Sequence, residues 1–291
     1  VTTYCFYHKV DLDGQASAAI VKKFVPDVVL MPFNYNEQFP WEDIKHDDTV
    51  YFVDLALQPY SDMVKLCDHV DEKLYVFDHH KTFLESEAYR TLKERIPDNI
   101  HCDTYVAGCE LTWEALSLRS IPLPIRLLGQ YDSWRDTKEK QCHGDYDWDK
   151  EVMPFQFGMR LDEFDFDKFI DVLDDQSFVQ RTIVTGRTIL KYQDNQNAFG
   201  MKSSFEAKIK DYTCLCLNGG LRNSQVFKTK WDPKRHDFMV CFSMNKHKQW
   251  SWSFYSTRED RDAGSLAKQF NGGGHKGAAG CVTEELIFER R

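Results

Sequence analysis

The first eighty residues alternate short apolar runs with helical stretches, and this alternation limits the fold more than any other feature of the sequence. TTYCFYH leads up to His8. QASAAIVKKF follows, with small residues first and then apolar positions spaced for one helical face. DVVLMP, from Asp27 to Pro32, is a second strand-like run, and TVYFVDL, from Thr49, is a third. SDMVKLCDHV opens on Ser and Asp and keeps helical spacing, and KLYVFDHH supplies a fourth strand. Strands separated by helices form parallel β-α-β units, whose crossovers cover both faces of one sheet.

Two further helices are expected near Gly108 to Ser120 and Pro122 to Tyr131, with a polar loop from Asp136 to Asp149. Helical character resumes in EFDFDKFIDVLDD and in SFVQRTIVTGRTILKYQDNQNAF, the second long enough to connect domains. Beyond residue 210 the texture changes to strand-like runs divided by polar turns: YTCLCLN, SQVFKT, FMVCFSM and WSWSFYST. A helix near Asp262 to Phe270 then leads into NGGGHKGAAG. The expected fold class is α/β. A parallel-sheet N-terminal domain spans residues 1–190, a helical linker 191–210, and a smaller α/β C-terminal domain 211–291.

Composition narrows the function. Over 291 residues, 42% hydrophobic and 29% charged content describes a globular protein rather than a disordered one. No apolar run approaches the roughly 20 residues a membrane helix needs, and no signal-like segment opens the sequence, so no membrane partner and a cytoplasmic location are expected. A net charge of −9 argues against a grip on long duplex nucleic acid. It leaves room for a small anion, because a bound divalent cation can be the largest local charge in a site. The nine Cys are odd in number and scattered, which reads as reduced thiols. Cys214 and Cys216 alternate on one face of a strand, which suits packing better than zinc.

Chemistry gathers at the strand ends. The first strand runs into His8, Asp11 and Asp13, the third into Asp54, and the fourth into Asp78, His79 and His80. In an open parallel sheet, ligands bind outside the carboxyl ends of the strands, so these residues should converge on one cleft. Asp132, in YDSWRDT, is a further candidate. Each motif also has a plain reading: DLDG starts helices, and Asp13 could serve only as a cap. Without metal, clustered carboxylates repel and raise one another's pKa. With two divalent cations roughly 3.5–4 Å apart they form a site for in-line displacement at phosphorus. Mixed Asp/His donors suit Mn²⁺, Fe²⁺, Zn²⁺ or Co²⁺ better than Mg²⁺ alone.

In these motifs the sequence resembles the DHH phosphoesterase superfamily, named for the Asp-His-His found here at 78–80. HKVDLDG, VDLAL, FDHHK and YDSW are similar to its four motifs in order. GGGHKGAAG is similar to the glycine-rich signature of its associated substrate-binding domain. The resemblance implies two metal ions, usually Mn²⁺. His8, Asp11 and Asp54 would hold one, and Asp13, Asp54, His79 and Asp132 the other, with Asp54 as bridge. The spacing of Asp11 after His8 leaves open whether His8 binds metal directly. His80 would contact the scissile phosphate, and Asp78 would orient the imidazoles.

In the second domain, Gly272, Gly273 and Gly274 would let backbone N–H groups approach substrate, with His275 as a donor and Arg258 as a phosphate ligand. The resemblance implies an enzyme whose substrate, a short oligonucleotide or dinucleotide, lies between the domains and is released as mononucleotides. Cyclic dinucleotides and 3′-phosphoadenosine 5′-phosphate are the alternatives, an inactive nucleotide-binding relative is a further one, and a homodimer is compatible with all of them. Trp250 and Trp252 share a strand face, where core packing outweighs base stacking as an explanation.

Overall fold

A computed structural model describes the chain except residues 36, 136–145, 221, 222, 275, 290 and 291. Cys142, His275 and most of the polar loop expected from Asp136 therefore lie outside the described residues. The chain divides into two compact units, Val1–Ile189 and Leu190–Arg291.

The first unit runs β1 (Thr3–His8), α1 (Leu12–Phe24), β2 (Val29–Phe33), β3 (Thr49–Val53), α2 (Ser61–His69), β4 (Leu74–Asp78), α3 (Lys81–Leu84), α4 (Glu87–Arg95) and β5 (Ile100–Cys102). It continues through α5 (Gly108–Leu116), α6 (Leu123–Asp132), α7 (Met153–Met159) and α8 (Phe166–Asp171). The helix α9 (Gln176–Gly200) crosses the division between the units. The five strands form one parallel sheet in the order β2-β1-β3-β4-β5.

Both faces of this sheet are covered, which is why its strands read as unbroken apolar runs rather than alternating ones. Phe6, Phe52 and Val76 pack on one face with Met63, Leu66 and Leu92 of α2 and α4. Their strand neighbours Cys5, Tyr7, Tyr51, Val53 and Phe77 pack on the other with Ala18, Val21 and Leu111 of α1 and α5. β5 escapes a reading of the sequence because three residues are too few to show a period.

The second unit holds β6 (Phe205–Ile209), β7 (Tyr212–Asn218), β8 (Phe238–Met244), β9 (Trp250–Tyr255), α10 (Ala263–Lys268), β10 (Gly273–Gly274) and β11 (Ala278–Thr283). Their sheet order is β10-β11-β9-β8-β7-β6, with β7 and β8 parallel and the other pairs antiparallel. Both units are thus α/β. SQVFKT, expected as a strand, instead contains a 3-10 turn over Ser224–Phe227, started by the Asn223 side chain accepting from the Gln225 N–H. Its Val226 and Phe227 plug the sheet face formed by Leu215, Leu217, Met239 and Cys241. Cys214, Cys216 and Trp252 are buried on the opposite face, under α10, and Trp250 packs against them.

Phe52 is fully buried, and its ring stacks on Phe6 at a centroid distance of 5.1 Å. Phe52→Ala is expected to lower stability by about 3–5 kcal/mol through lost transfer energy and the cavity left behind. Urea denaturation measures this, and a loss below about 1 kcal/mol would mean that the face relaxes around the gap.

Candidate metal centre

Strand order changes direction between β1 and β3, so a crevice opens at their carboxyl ends. His8 is the last residue of β1 and Asp54 directly follows β3, while Asp78 closes β4 ahead of His79 and His80. Asp11 and Asp13 come from the entry to α1, and Asp132 is the last residue of α6.

The two carboxylates of DLDG have different partners. Asp11, not Asp13, caps α1, accepting from the Gly14 N–H at 2.9 Å. Asp13 is buried, and its two oxygens accept from the N–H groups of Gly108 and Cys109, each at 2.8 Å. The N-terminus of α5 therefore holds Asp13 in place, where orphan N–H groups and the helix dipole favour an anion.

The donor atoms fall into two sets that share Asp54, and Asp54 and His79 also form a third, overlapping group with His80. In the first, His8 Nδ1 lies 2.6 Å from Asp11 Oδ2 and 3.5 Å from Asp54 Oδ2. In the second, His79 Nε2 lies 3.2 Å from Asp54 Oδ1, 3.1 Å from Asp132 Oδ2 and 3.7 Å from Asp13 Oδ2. Within each set the donor atoms are all within 4.8 Å of one another. The two oxygens of Asp54 thus face different sets. His8 Nδ1, His79 Nε2 and Asp54 Oδ1 are buried and close to oppositely charged atoms of their sets, yet none makes a well-aligned hydrogen bond among the described residues. Buried polar atoms so poorly aligned with their neighbours are costly unless something else draws on them. A mixed imidazole and carboxylate set fits divalent transition metals.

Backbone geometry supports the centre. Asp54 has φ of 59°, a left-handed conformation that Asp tolerates better than most residues. A Cβ at Gly108 would sit 2.8 Å from Asp54 Cβ and 3.0 Å from Asp13 Oδ2, so a glycine is needed there. Asp78 is fully buried. Its Oδ1 accepts from the N–H groups of His79 at 2.8 Å and His80 at 3.3 Å, and from His80 Nδ1 at 2.8 Å. This fixes the His80 ring with its proton on Nδ1 toward Asp78, leaving Nε2 for a ligand.

Three contributors escape a reading of the sequence. Gly108 looks like an ordinary helix start. Tyr35, just past β2, stands edge-on to His8 and His80 at centroid distances of 5.5 and 5.8 Å. Burial, with Asp78 and Asp54 close by, pushes its hydroxyl pKa up. Glu110 and Arg135 form a buried two-bond ion pair, both contacts at 2.9 Å, and Glu110 also accepts from the Ala107 N–H. That pair ties the segment after Asp132 to the helix start that holds Asp13. A lone Glu amid the apolar residues of GCELTW was the available signal.

The electrostatics are those of crowded buried carboxylates with two imidazoles among them. Burial by itself disfavours a charged His8, but Asp11 and Asp54 outweigh it and raise its pKa to about 10. Burial also opposes the charge on His79, yet Asp132 and Asp54 raise its pKa to about 12. Burial pushes Asp54 up to about 6, against the pull of His79 and His8. Asp13, buried beside Asp54 and Asp132, is pushed well above the ordinary carboxylate value.

The other candidates belong to the second unit. Gly273 and Gly274 form β10, and Gly274 has φ of 140°. Gly272 lies so close to Gly280 and Cys281 that a Cβ would clash at 2.2 Å, whereas Gly273 is open. Arg258 donates to both carboxylate oxygens of Asp260, at 2.9 and 2.7 Å, and to Asp237 at 3.3 Å, so its planar fork is already engaged.

A buried Asp/His centre at the switch point of a parallel sheet, followed by a second α/β unit, is the class that fold and site define. No family model matches the chain, and no curated protein does. Solved structures do. A pGpG-specific phosphodiesterase from Vibrio cholerae superposes with a TM-score of 0.53 at 13% identity, covering 97% of this chain and 93% of that one. An exopolyphosphatase-related protein from Bacteroides fragilis gives 0.50 at 11% identity, covering 98% of this chain and 88% of that one. These likenesses establish a shared two-unit fold.

Gly108→Ala should weaken Mn²⁺ binding by about 10- to 100-fold, as loss of a supporting contact does. Isothermal titration reads this, with circular dichroism confirming the fold. Unchanged affinity would mean that Asp13 and Asp54 tolerate displacement.

Stability should also depend on pH. A histidine with a folded pKa above its unfolded 6.5 adds stability that is complete below 6.5 and lost as pH rises through the folded value. For His8 that window is 6.5 to about 10. Metal-free protein should therefore lose stability on going from pH 6.5 toward about 9, while the stabilisation given by Mn²⁺, which needs deprotonated rings, should grow. Thermal melts in EDTA and in Mn²⁺ test this, and parallel curves would remove both histidines from the metal sets.

Proposed function

We propose that the chain is a DHH-type, two-metal phosphodiesterase that hydrolyses short oligonucleotides and linear dinucleotides to mononucleotides. The observation that carries this reading is the orientation of Asp54, one oxygen toward His8 and Asp11 and the other toward His79, Asp13 and Asp132. A shared carboxylate between two donor sets is what in-line displacement at phosphorus calls for. Divalent metal, usually Mn²⁺ in such proteins, supplies Lewis acidity toward the phosphoryl oxygens and acidifies water.

The chain's own residues do the rest. His8, Asp11 and Asp54 form one ligand set and Asp13, Asp54, His79 and Asp132 the other. Asp13 is anchored by α5, so it keeps its position as charge in the crevice changes. His80 is held by Asp78 at Nδ1, and its Nε2 serves as the donor to a phosphoryl or leaving oxygen. The open Gly273 is the candidate for backbone recognition of substrate in the second unit, since the Gly272 N–H already donates to the Ala267 carbonyl at 2.9 Å. The fold is shared with a phosphodiesterase that acts on pGpG, which supports a linear dinucleotide among the substrates. The net charge of −9 also favours a short substrate.

The test is product chromatography with Mn²⁺ on an RNA trinucleotide, pGpG, cyclic di-AMP and 3′-phosphoadenosine 5′-phosphate. Mononucleotides are expected from the first two. Asp54→Ala should abolish turnover, and His80→Ala should reduce kcat by about 10²–10³ with metal affinity largely kept. Turnover retained by Asp54→Ala would refute the two-metal assignment. Cleavage of cyclic di-AMP alone would preserve the chemistry and change the substrate.

A further inference from the structure

We propose that Trp134, backed by Trp148 and Tyr131, forms a platform on which a nucleobase of the substrate stacks. The centre would then select nucleotide phosphoesters over base-free phosphates. This inference deepens the phosphodiesterase reading and rests on it.

The three rings are nearly parallel and mutually adjacent. Tyr131 and Trp148 lie 2° from coplanar with centroids 5.7 Å apart. Trp134 is 6.1 Å from Tyr131 at 28° and 5.8 Å from Trp148 at 29°. Trp134 is 56% exposed, unlike the core residues Trp113 and Trp252. An indole backed by a second indole and a phenol ring yet open to solvent is costly for folding and useful for stacking.

Its backbone is unusual too. Trp134 has φ of 52°, a left-handed conformation rare for a bulky residue. Both of its flanks are fixed. Asp132, two residues before, belongs to the second metal set. Arg135, the next residue, is locked to Glu110, and its backbone N–H and C=O both bond to Gln130. Strain held between fixed neighbours at a site is a pointer to function.

Location supplies the occupant. Two peptide links limit the Cα separation of Trp134 and Asp132 to about 7.6 Å, so the platform is carried on the same short segment as a donor of the second set. The Arg160 guanidinium lies 5.4 Å from the Tyr131 ring centre, adding positive charge beside the platform. A nucleotide offers a flat π-face and an anion close together, and an inorganic polyphosphate offers no face to stack.

Two measurements test this on the full chain with Mn²⁺. The first compares kcat/KM for pGpG and for the same phosphodiester lacking both bases, in wild type, Trp134→Phe and Trp134→Ala. Trp134→Ala should lower kcat/KM on pGpG about 5- to 150-fold, mainly through KM, and leave the base-free compound unchanged. Trp134→Phe should recover most of the loss. An equal loss on both substrates, or none, would overturn the platform. The second follows fluorescence of 2-aminopurine riboside 5′-monophosphate, which stacking quenches. Wild type should quench it and Trp134→Ala should not. Absence of quenching in wild type, or equal quenching in the variant, would also overturn the proposal. Should wild type hydrolyse neither diester, the phosphodiesterase reading fails, and the fluorescence result then decides the platform separately.

Discussion

Like charges gathered in one crevice must be neutralised, and everything around the switch point of the first sheet answers to that requirement. Asp11, Asp13, Asp54 and Asp132 meet where His8 and His79 also point. Without cations the only relief is protonation, and the pKa values move that way: both imidazoles are pushed up toward the charged form and the buried carboxyls toward the neutral one. Cations offer a second relief, and the buried, poorly aligned atoms His8 Nδ1, His79 Nε2 and Asp54 Oδ1 are where they would be drawn.

A centre under such repulsion holds its geometry only if its members are anchored from behind. Asp13 is fixed by two N–H groups of α5, and Asp78 fixes His80 from beneath. The start of α5 is in turn tied through Glu110 to Arg135, three residues after Asp132. One helix terminus therefore positions donors from opposite ends of the unit. The Glu110–Arg135 pair is desolvated, so its worth is geometric more than energetic, and removing either member would strand a buried charge.

The sequence carried four of the sheet's five strands plainly, because strands buried on both faces leave apolar runs that are hard to misread. The Asp and His residues singled out from the sequence are brought close together, those of β1, β3 and β4 because each stands where an apolar run ends. What it concealed depends on contacts between distant residues. Gly108 matters only because Asp13 and Asp54 press against it from about 95 and 54 positions away in the chain. The cap of α1 fell to Asp11 rather than Asp13 because α5 claims the second carboxylate. SQVFKT has strand composition, yet the Asn223 side chain starts a turn there and sends Val226 and Phe227 onto the sheet face. Local propensity lost to tertiary packing in each case.

The overall acidity of the chain and the nature of the centre are linked by range. Bound cations invert the sign of the potential only near themselves, since screening at physiological salt acts over about 8 Å. A long polyanion that reached the centre would gain attraction near the cations only, while the rest of its length met a chain of net charge −9. On the proposed reading a dinucleotide would keep its charge close to the inverted region, and bases stacked on Trp134 would add attraction that salt does not screen. The same −9 that disfavours long nucleic acid therefore costs a short substrate little. Length discrimination can arise from the surface as a whole, without any residue dedicated to measuring the chain.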